Sequence, residues 1–540
     1  MPHDVVNQVP PRVELDEFAA NTALVEGVAH YGADWAAEQL HRVGRHVGTA
    51  GFQRDAELAN MQPPRLRQYD RYGVRVDELE YDESYHRVIA ANIAEGGHTS
   101  ALAEPRPGAA VARAAVFMLF AQVEPGHACP VSMTHASVPV LRGNASVAEE
   151  WVPRVFSRDY DPELRPGKAS ALVGMSMTEK QGGSDLRANL TRATPAGEGY
   201  VLDGHKWFCS APGSDAFLVT AQAPGGLSTF LVPRVLPNGE RNPFRIVRLK
   251  DKLGNRANAS GELELEGTHA VLIGEEGRGV PVLIDMVERT RFDSVLGTVA
   301  GMRQATAEAV WHARHRSAFG ARLVDQPAMA SVLADLALET EAATAVALRL
   351  ARAFDDDASD AEVAFRRLAT AVAKFWICKR GPGHAYEALE CLGGNGYIED
   401  FPLARRYREQ PVMAIWEGSG NVIALDVLRA LSREPDAVAA FEAEVALAGG
   451  THPVFDAHLA VTRERLHAVA GMDAADAAAA ARGLVTDLAL ALEASLLLRT
   501  APPAVAELFV GARLGEVARH GHLYGDLPAG RDVTSVLDRS

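Results

Sequence analysis

The chain has 540 residues, of which 47% are hydrophobic, and a formal net charge of −16 at pH 7. That length is several times what one hydrophobic core organises, so three or four structural units are expected, and the apolar content excludes a disordered chain. The acidic balance excludes a protein that coats nucleic acid with its whole surface, because such binding rests on Lys and Arg neutralising phosphates; a local basic groove stays open.

The start, MPHDVVNQVPPR, lacks the basic and apolar segments of a signal peptide, and no apolar run of about 18 residues is long enough to cross a bilayer. A cytoplasmic protein with no membrane association is the expectation. From about residue 15 to 170 the sequence reads mostly as helices joined by polar turns, with apolar positions at helical spacing in NTALVEGVAHYGADWAAEQLHRVG and AVARAAVFMLFAQV. Between 171 and 280 the runs GYVLDGHKWFCS, DAFLVTAQ, STFLVPRV and GELELEGTHAVLI are short, β-prone and separated by Gly, Pro and Asn, which predicts a compact domain of antiparallel strands. Long amphipathic Ala/Leu-rich segments return from 281 to 430, broken at FDDDASDAE, and predict an antiparallel helical bundle. After Pro435 a further helical domain spans 431–540 and includes the strong helix former DAADAAAAARGL. The fold class is therefore α+β and multidomain: helical, β, helical bundle, extra helical domain. Cys129, Cys209, Cys378 and Cys391 are far apart and match neither a disulfide framework nor a metal-ligand spacing, so no metal site is expected.

Three stretches carry candidate chemistry. GMSMTEKQGGSDLRA, residues 174–188, packs hydroxyls and adjacent glycines into one turn-rich segment; it reads either as a loop that lines a planar polar ligand or as a polar surface loop. GHKWFCSAPG, from Gly204, is a strand with two aromatics and one hydroxyl, which in isolation reads as core. AIWEGSGNVIAL, 414–425, places the lone carboxylate of Glu417 after Trp416 and before a Gly-Ser-Gly run that leads into a helix.

Together these stretches resemble the acyl-CoA dehydrogenase superfamily, whose middle domain opens with T-E-x-x-x-G-S-D and continues with G-x-K-x-W-I-[TS]-N-G. This chain has Thr178, Glu179, Gly183, Ser184 and Asp185 for the first and Gly204, Lys206, Phe208 and Ser210 for the second. KDKLGNRANASGELELEGTHA, RHRSAFGARLVDQPAMA, AYEALECLGGNGYIED and IWEGSGN follow in the superfamily's order, so the likeness covers about residues 85 to 430. Within the superfamily, RLKDKLGNRANAS, AVAKFWICKRG, LDVLRAL and the helical segment after 430 are most similar to the AidB-type, isovaleryl-CoA dehydrogenase-like flavoproteins of the alkylation response.

The resemblance implies FAD as cofactor, bound without a covalent link between the β-domain and the bundle. It assigns Met175, Met177, Thr178, Gly183 and Ser184 to the flavin and its phosphates, and Phe208, Cys209 and Ser210 to the isoalloxazine, with Phe208 in place of the family's Trp. Ile415, Trp416, Gly418, Ser419 and Asn421 would close over the cofactor. Arg316 and Phe319 of R-x-x-F-G, with Gly393 and Gly394, would serve the FAD of a neighbouring subunit, and a homotetramer built as a dimer of dimers is implied. The reaction needs one base for the proton alpha to a thioester carbonyl and one hydride acceptor, with no metal. Glu417 is the expected base on an acyl-CoA-like substrate. The alternative base position on the first bundle helix carries Thr290, and Arg291 beside it reads either as a neighbour of the base or as an ion-pair partner. Trp416 stands where smaller or hydroxylated residues are usual, which would narrow the substrate cavity.

A second reading follows from the same resemblance: a DNA-associated flavoprotein that protects duplexes from alkylation, with weak or vestigial dehydrogenation, binding through the extension 431–540. That extension has nine arginines, no lysine and fifteen acidic residues, the wrong balance for phosphates. Arg429, Arg433, Arg463, Arg465, Arg482, Arg499, Arg513 and Arg519 either cluster on one face or are solvated helix ends. A third reading gives the extension only a role in assembly.

Overall fold

The computed structural model describes residues 4–515, 524–528 and 530–540, and among them no helix is long and apolar enough to cross a membrane. Compactness divides the chain into two units, each assembled from separated stretches: Gly51–Pro105 with Glu124–Asp293, and Met1–Ala50 with Arg106–Val123 and Ser294–Ser540.

The first unit is built on strands. A hairpin of β1 (Arg65–Tyr69) and β2 (Arg75–Glu80) precedes a seven-stranded sheet of β3 (Val173–Ser176), β4 (Arg192–Ala196), β5 (Gly199–Ser210), β6 (Ala216–Ala223), β7 (Gly226–Pro233), β8 (Phe244–Leu249) and β9 (Ser260–Ile273). Pairing runs β6–β7–β9–β5–β4 and returns to β6 through the Arg192/Gln222 pair, so the sheet closes on itself. Its interior is filled by Leu202, Phe217, Val219, Phe230, Val232, Ile246 and Leu263. Strand β6 is apolar at nearly every position because alternate residues serve two cores. Phe217 and Val219 enter the barrel, while Ala216 and Leu218 meet the helices Ala128–Leu141 and Ala145–Phe156.

Two features depart from the sequence reading. Most pairs are antiparallel, but β3 runs parallel to β6 and β4 touches it in parallel, because the chain re-enters the sheet only after the 177–191 loop and the β4–β5 hairpin. The β1–β2 hairpin falls in the stretch read as helices and turns; its residues RLRQY and RVDELE are mostly charged, so they lack the apolar alternation that marks a strand.

The second unit is helical. Every residue of Ala109–Ala121 is buried, including Arg113, whose guanidinium lies 4.7 Å from the Phe117 ring centroid. A segment apolar all round is what a central helix requires. The helix Gly279–His315 belongs to the first unit up to Asp293 and to this one from Ser294; Pro327–Arg352, Asp360–Glu390 and Gly420–Arg433 complete the bundle helices and are followed by Pro435–Ala446, Pro453–Ala470, Ala474–Thr500 and Pro503–Arg513. Ala474–Thr500 starts where the Asp473 carboxylate accepts the N–H groups of Ala475 and Asp476, and it packs on Pro327–Arg352, Asp360–Glu390 and Gly420–Arg433.

Candidate functional site

In the strand-based unit, the chain leaves β3 at Ser176 and loops to Thr191 before rejoining the sheet. The loop is fastened from beneath by Glu179 and Lys206, whose side chains are both 0% exposed. Glu179 accepts from Lys206 Nζ (2.8 Å), Thr191 Oγ1 (2.6 Å), Leu190 N (2.6 Å) and Thr191 N (3.1 Å), while Lys206 Nζ also donates to the Thr220 carbonyl (2.8 Å). Burial by itself raises the Glu179 carboxyl, but the bond and charge of Lys206 with the Thr191 and Leu190 donors overcome it and hold the group at about 2. Burial lowers the Lys206 ammonium to about 8 against the pull of Glu179. The pair thus stays ionised at neutral pH, at a cost carried by the lysine.

Further ties run from loop to strand. Trp207 N donates to the Thr178 carbonyl at 2.8 Å, Lys180 N to His205 Nε2 at 3.0 Å, and Asn189 Nδ2 to the Met177 carbonyl at 2.9 Å. The β5–β9 register breaks between Lys206 and Cys209, which releases Trp207 and Phe208 from the ladder. Phe208 is 52% exposed, and Ser210 follows on the same face. Gly183 has no room for a side chain: a methyl there would sit 2.4 Å from Thr178 Oγ1. The result is a ledge on which the hydroxyls of Thr178, Ser184 and Ser210 have no hydrogen-bond partner among the described residues, beside an exposed phenyl ring. That donor and acceptor set suits a flat heteroaromatic ring with carbonyl and imino edges.

Three expected cofactor residues face elsewhere. The Cys209 side chain is in the barrel interior, where burial pushes its thiol to about 12, so only its backbone is available to the ledge. Met175 and Met177 pack against the core of β3, β6 and the adjoining helices. Thr290 is buried with its hydroxyl donating to the Met286 and Val287 carbonyls at 3.1 Å, a helical back-bond rather than a base; Arg291 follows it on Gly279–His315.

In the helical unit, Pro402–Met413 ends in a turn of residues 414–419 before Gly420–Arg433 begins. Trp416 N still bonds the Val412 carbonyl (2.9 Å), and then Glu417 takes φ +56° and Gly418 φ +110°. A non-glycine residue in the left-handed region is held there by its surroundings. Here the holder includes Lys374, a lysine 1% exposed that donates to the Gly418 carbonyl at 2.7 Å. Trp416, Glu417 and Gly418 are half-buried, while Ile415 and Ser419 are exposed. A side chain at Gly420 would lie 2.2 Å from Lys379 Cε. Asn421 Oδ1 accepts from Arg482 Nη1 at 3.3 Å, so the long helix of the extension reaches the first turn of the helix that follows the Glu417 loop. Sequence reasoning gave no role to Lys374, which lies inside the AVAKFWICKRG stretch, and read Arg482 only as a phosphate candidate or a solvated helix end.

Phe319 and Gly320, both at positive φ, form the tip of the hairpin Ser317–Ala318/Ala321–Arg322 with the Phe319 ring completely exposed. The Arg316 guanidinium is engaged by the Asn7 carbonyl. Gly393, at φ +59°, and Gly394 begin the short helix Gly394–Tyr397, with nothing near where a side chain would stand.

Among the described arginines of the extension, Arg499, Arg513 and Arg539 are half-buried against acids, while Arg433, Arg463, Arg465, Arg482 and Arg531 are exposed. Arg499 pairs with Glu444 (2.6 Å), Arg513 with Glu339 (2.7 Å) and Asp335, Arg465 with Asp487, and Arg539 with Glu341 and Glu26 (2.6 Å each). Arg429 pairs with Asp426 at 3.3 Å, Arg433 and Arg463 are exposed, and Arg519 lies outside the described residues.

Comparison with known proteins gives three family matches in chain order: the N-terminal domain of adaptive response protein AidB over residues 7–162, the acyl-CoA dehydrogenase middle domain over 174–268, and the acyl-CoA dehydrogenase C-terminal domain over 277–432. The chain is 47% identical over 437 residues to the putative acyl-CoA dehydrogenase AidB of Escherichia coli, covering 80% of this chain and 81% of that one. Among solved structures, Caenorhabditis elegans ACDH-11 in complex with C11-CoA superposes with a TM-score of 0.86 at 26% identity, over 95% of this chain and 93% of that one. An acyl-CoA dehydrogenase from Bacillus anthracis complexed with FAD shares the fold, with a TM-score of 0.66 at 20% identity, over 79% and 80%.

Proposed function

The chain belongs to the acyl-CoA dehydrogenase family of FAD-dependent oxidoreductases acting on CH–CH groups, in its AidB-type branch, and from that premise we propose that Glu417 is its catalytic base. The observation that carries the proposal is the left-handed turn at Glu417, held from behind by Lys374 on the Gly418 carbonyl, while Thr290 is tied to its own helix. Backbone strain maintained at the residue that carries the carboxylate is what a fixed base needs. The substrate is an acyl-CoA thioester, from which the Glu417 carboxylate takes the proton alpha to the carbonyl.

FAD, when bound, supplies the acceptor for the hydride that leaves the beta carbon. The ledge of Thr178, Ser184, Phe208 and Ser210 fits the flavin ring, with Gly183 keeping Thr178 in place. Trp416 makes the base more apolar in its surroundings and the acyl pocket narrower, which favours short or branched chains. Phe319, Gly393 and Gly394 fit contact with another copy of the chain in a homotetramer. Arg499, Arg513 and Arg539 are taken up by buried acids, and the extension carries fifteen acidic residues against nine arginines, so duplex binding gains no support from its charge.

Anaerobic addition of an acyl-CoA panel to the yellow protein should bleach the flavin absorbance, and Glu417→Gln should abolish the bleaching while flavin stays bound. A variant that bleaches at the parent rate would refute the assignment.

A further inference from the structure

The strand-based unit contains a cavity of about 440 Å³ among the β2 end, the helix Glu83–Ala94, the 160–168 segment and the chain at 211–215. That volume is within the usual range for small-molecule sites. Tyr81 and Tyr85 stack in its wall with ring centroids 4.4 Å apart, and Ile89, Pro130 and Leu172 extend the apolar surface.

Every carboxylate lining the cavity has partners. Asp215 accepts from Lys168 Nζ (2.8 Å) and Leu172 N (2.9 Å), Asp161 from Glu163 N (3.0 Å) and Arg165 (2.6 Å), and Glu78 from Arg241 (2.7 Å); Glu163 lies 3.5 Å from Arg165. The unmet groups are donors. Lys168, only 7% exposed, uses two of its three N–H groups, on Asp215 and on the Asp161 carbonyl at 2.6 Å. The Tyr85 hydroxyl, on a residue 4% exposed, has no hydrogen-bond partner among the described residues. A donor with no protein partner on a cavity wall is completed by water or by a ligand. Burial also pushes the Tyr85 phenol well above its ordinary value, so it stays protonated and able to donate. At the rim, Arg165 and Arg241 add guanidinium donors beyond those their acidic partners use.

We propose that this cavity is a second binding site, specific for a small carboxylate with a flat apolar body. The carboxylate, an acceptor-only group with two oxygens, takes the remaining Lys168 N–H and the Tyr85 O–H, and the body lies along the tyrosine stack. A cationic ligand is disfavoured, because the aromatic wall is already accompanied by a fixed ammonium and the acids are compensated.

The test is isothermal titration calorimetry of the flavin-loaded protein with sodium benzoate and, separately, benzyltrimethylammonium chloride. Benzoate should bind saturably, one per chain, without altering the flavin spectrum. Tyr85→Phe, which removes one hydroxyl at unchanged ring volume, should weaken benzoate about 5- to 10-fold, the worth of one hydrogen bond. Lys168→Met should abolish binding; because it also strips Asp215 of its cation, Tyr85→Phe is the deciding variant. Absence of saturable benzoate binding, affinity unchanged in Tyr85→Phe, or preference for the ammonium probe each overturns the proposal.

Discussion

Replacing Lys206 by Met tests whether one buried ion pair holds the ledge that faces the flavin. In the folded protein Glu179 sits at about 2 against an ordinary 4.5, a gain of about 3 kcal/mol, and Lys206 sits at about 8 against 10.5, a cost of about the same size. The intact pair therefore comes close to break-even, as buried pairs commonly do. Removing the lysine alone is different: Glu179 stays buried on neutral donors only, and such half-pairs cost roughly 3–5 kcal/mol. For a unit of this size each kcal/mol moves the midpoint by about 2–4 °C, so Lys206→Met should lower the Tm of the flavin-loaded protein by at least ~6 °C at pH 7. The companion Glu179→Gln/Lys206→Met should fall by clearly less than the two single changes together. Circular dichroism read alongside flavin fluorescence follows fold and ledge at once. The pH dependence has a fixed sign. The unfolded chain binds more protons than the folded one between about pH 2 and 4.5 through Glu179, and between about 8 and 10.5 through Lys206. Stability rises with pH across both windows, and the alkaline rise should vanish in Lys206→Met. A Tm within about 2 °C of the parent, with flavin affinity unchanged, would refute the reasoning.

Lys374→Met removes the donor to the Gly418 carbonyl and frees the turn that carries Glu417; stopped-flow bleaching should slow by at least ~10-fold with the flavin still bound, about the 1.4 kcal/mol of one lost charged hydrogen bond. Gly204→Ala puts a methyl 2.7 Å from Thr191 Cα at φ +153°, a backbone clash in a strained region, so thermal denaturation should show a loss of roughly 1–3 kcal/mol. Arg513→Met leaves Glu339 and Asp335 short of a guanidinium inside the helical unit; its Tm should drop while retention of duplex DNA in a gel-shift assay stays as in the parent.

The hydroxyls and glycines of 174–188 and the single carboxylate of 414–425 were legible in order along the chain, because turn chemistry is a local property, whereas the aromatics of β5 read locally as core and the structure exposes Phe208. The helix break at 354–362 was legible in the same way. Tertiary structure alone decided what holds them. Glu179 and Lys206 are 27 residues apart, Lys374 and Gly418 are 44 apart, and Arg482 and Asn421 are 61 apart. No periodicity encodes those encounters, since each depends on which elements the packed core brings side by side. The same holds for Cys209: a motif placed it beside the cofactor, and the period of two along β5 turned its thiol into the barrel. Residue type and spacing determined the kinds of chemistry this chain carries; burial determined which groups face a ligand and which face one another, because in a water-excluded interior a polar group must be paired where it stands.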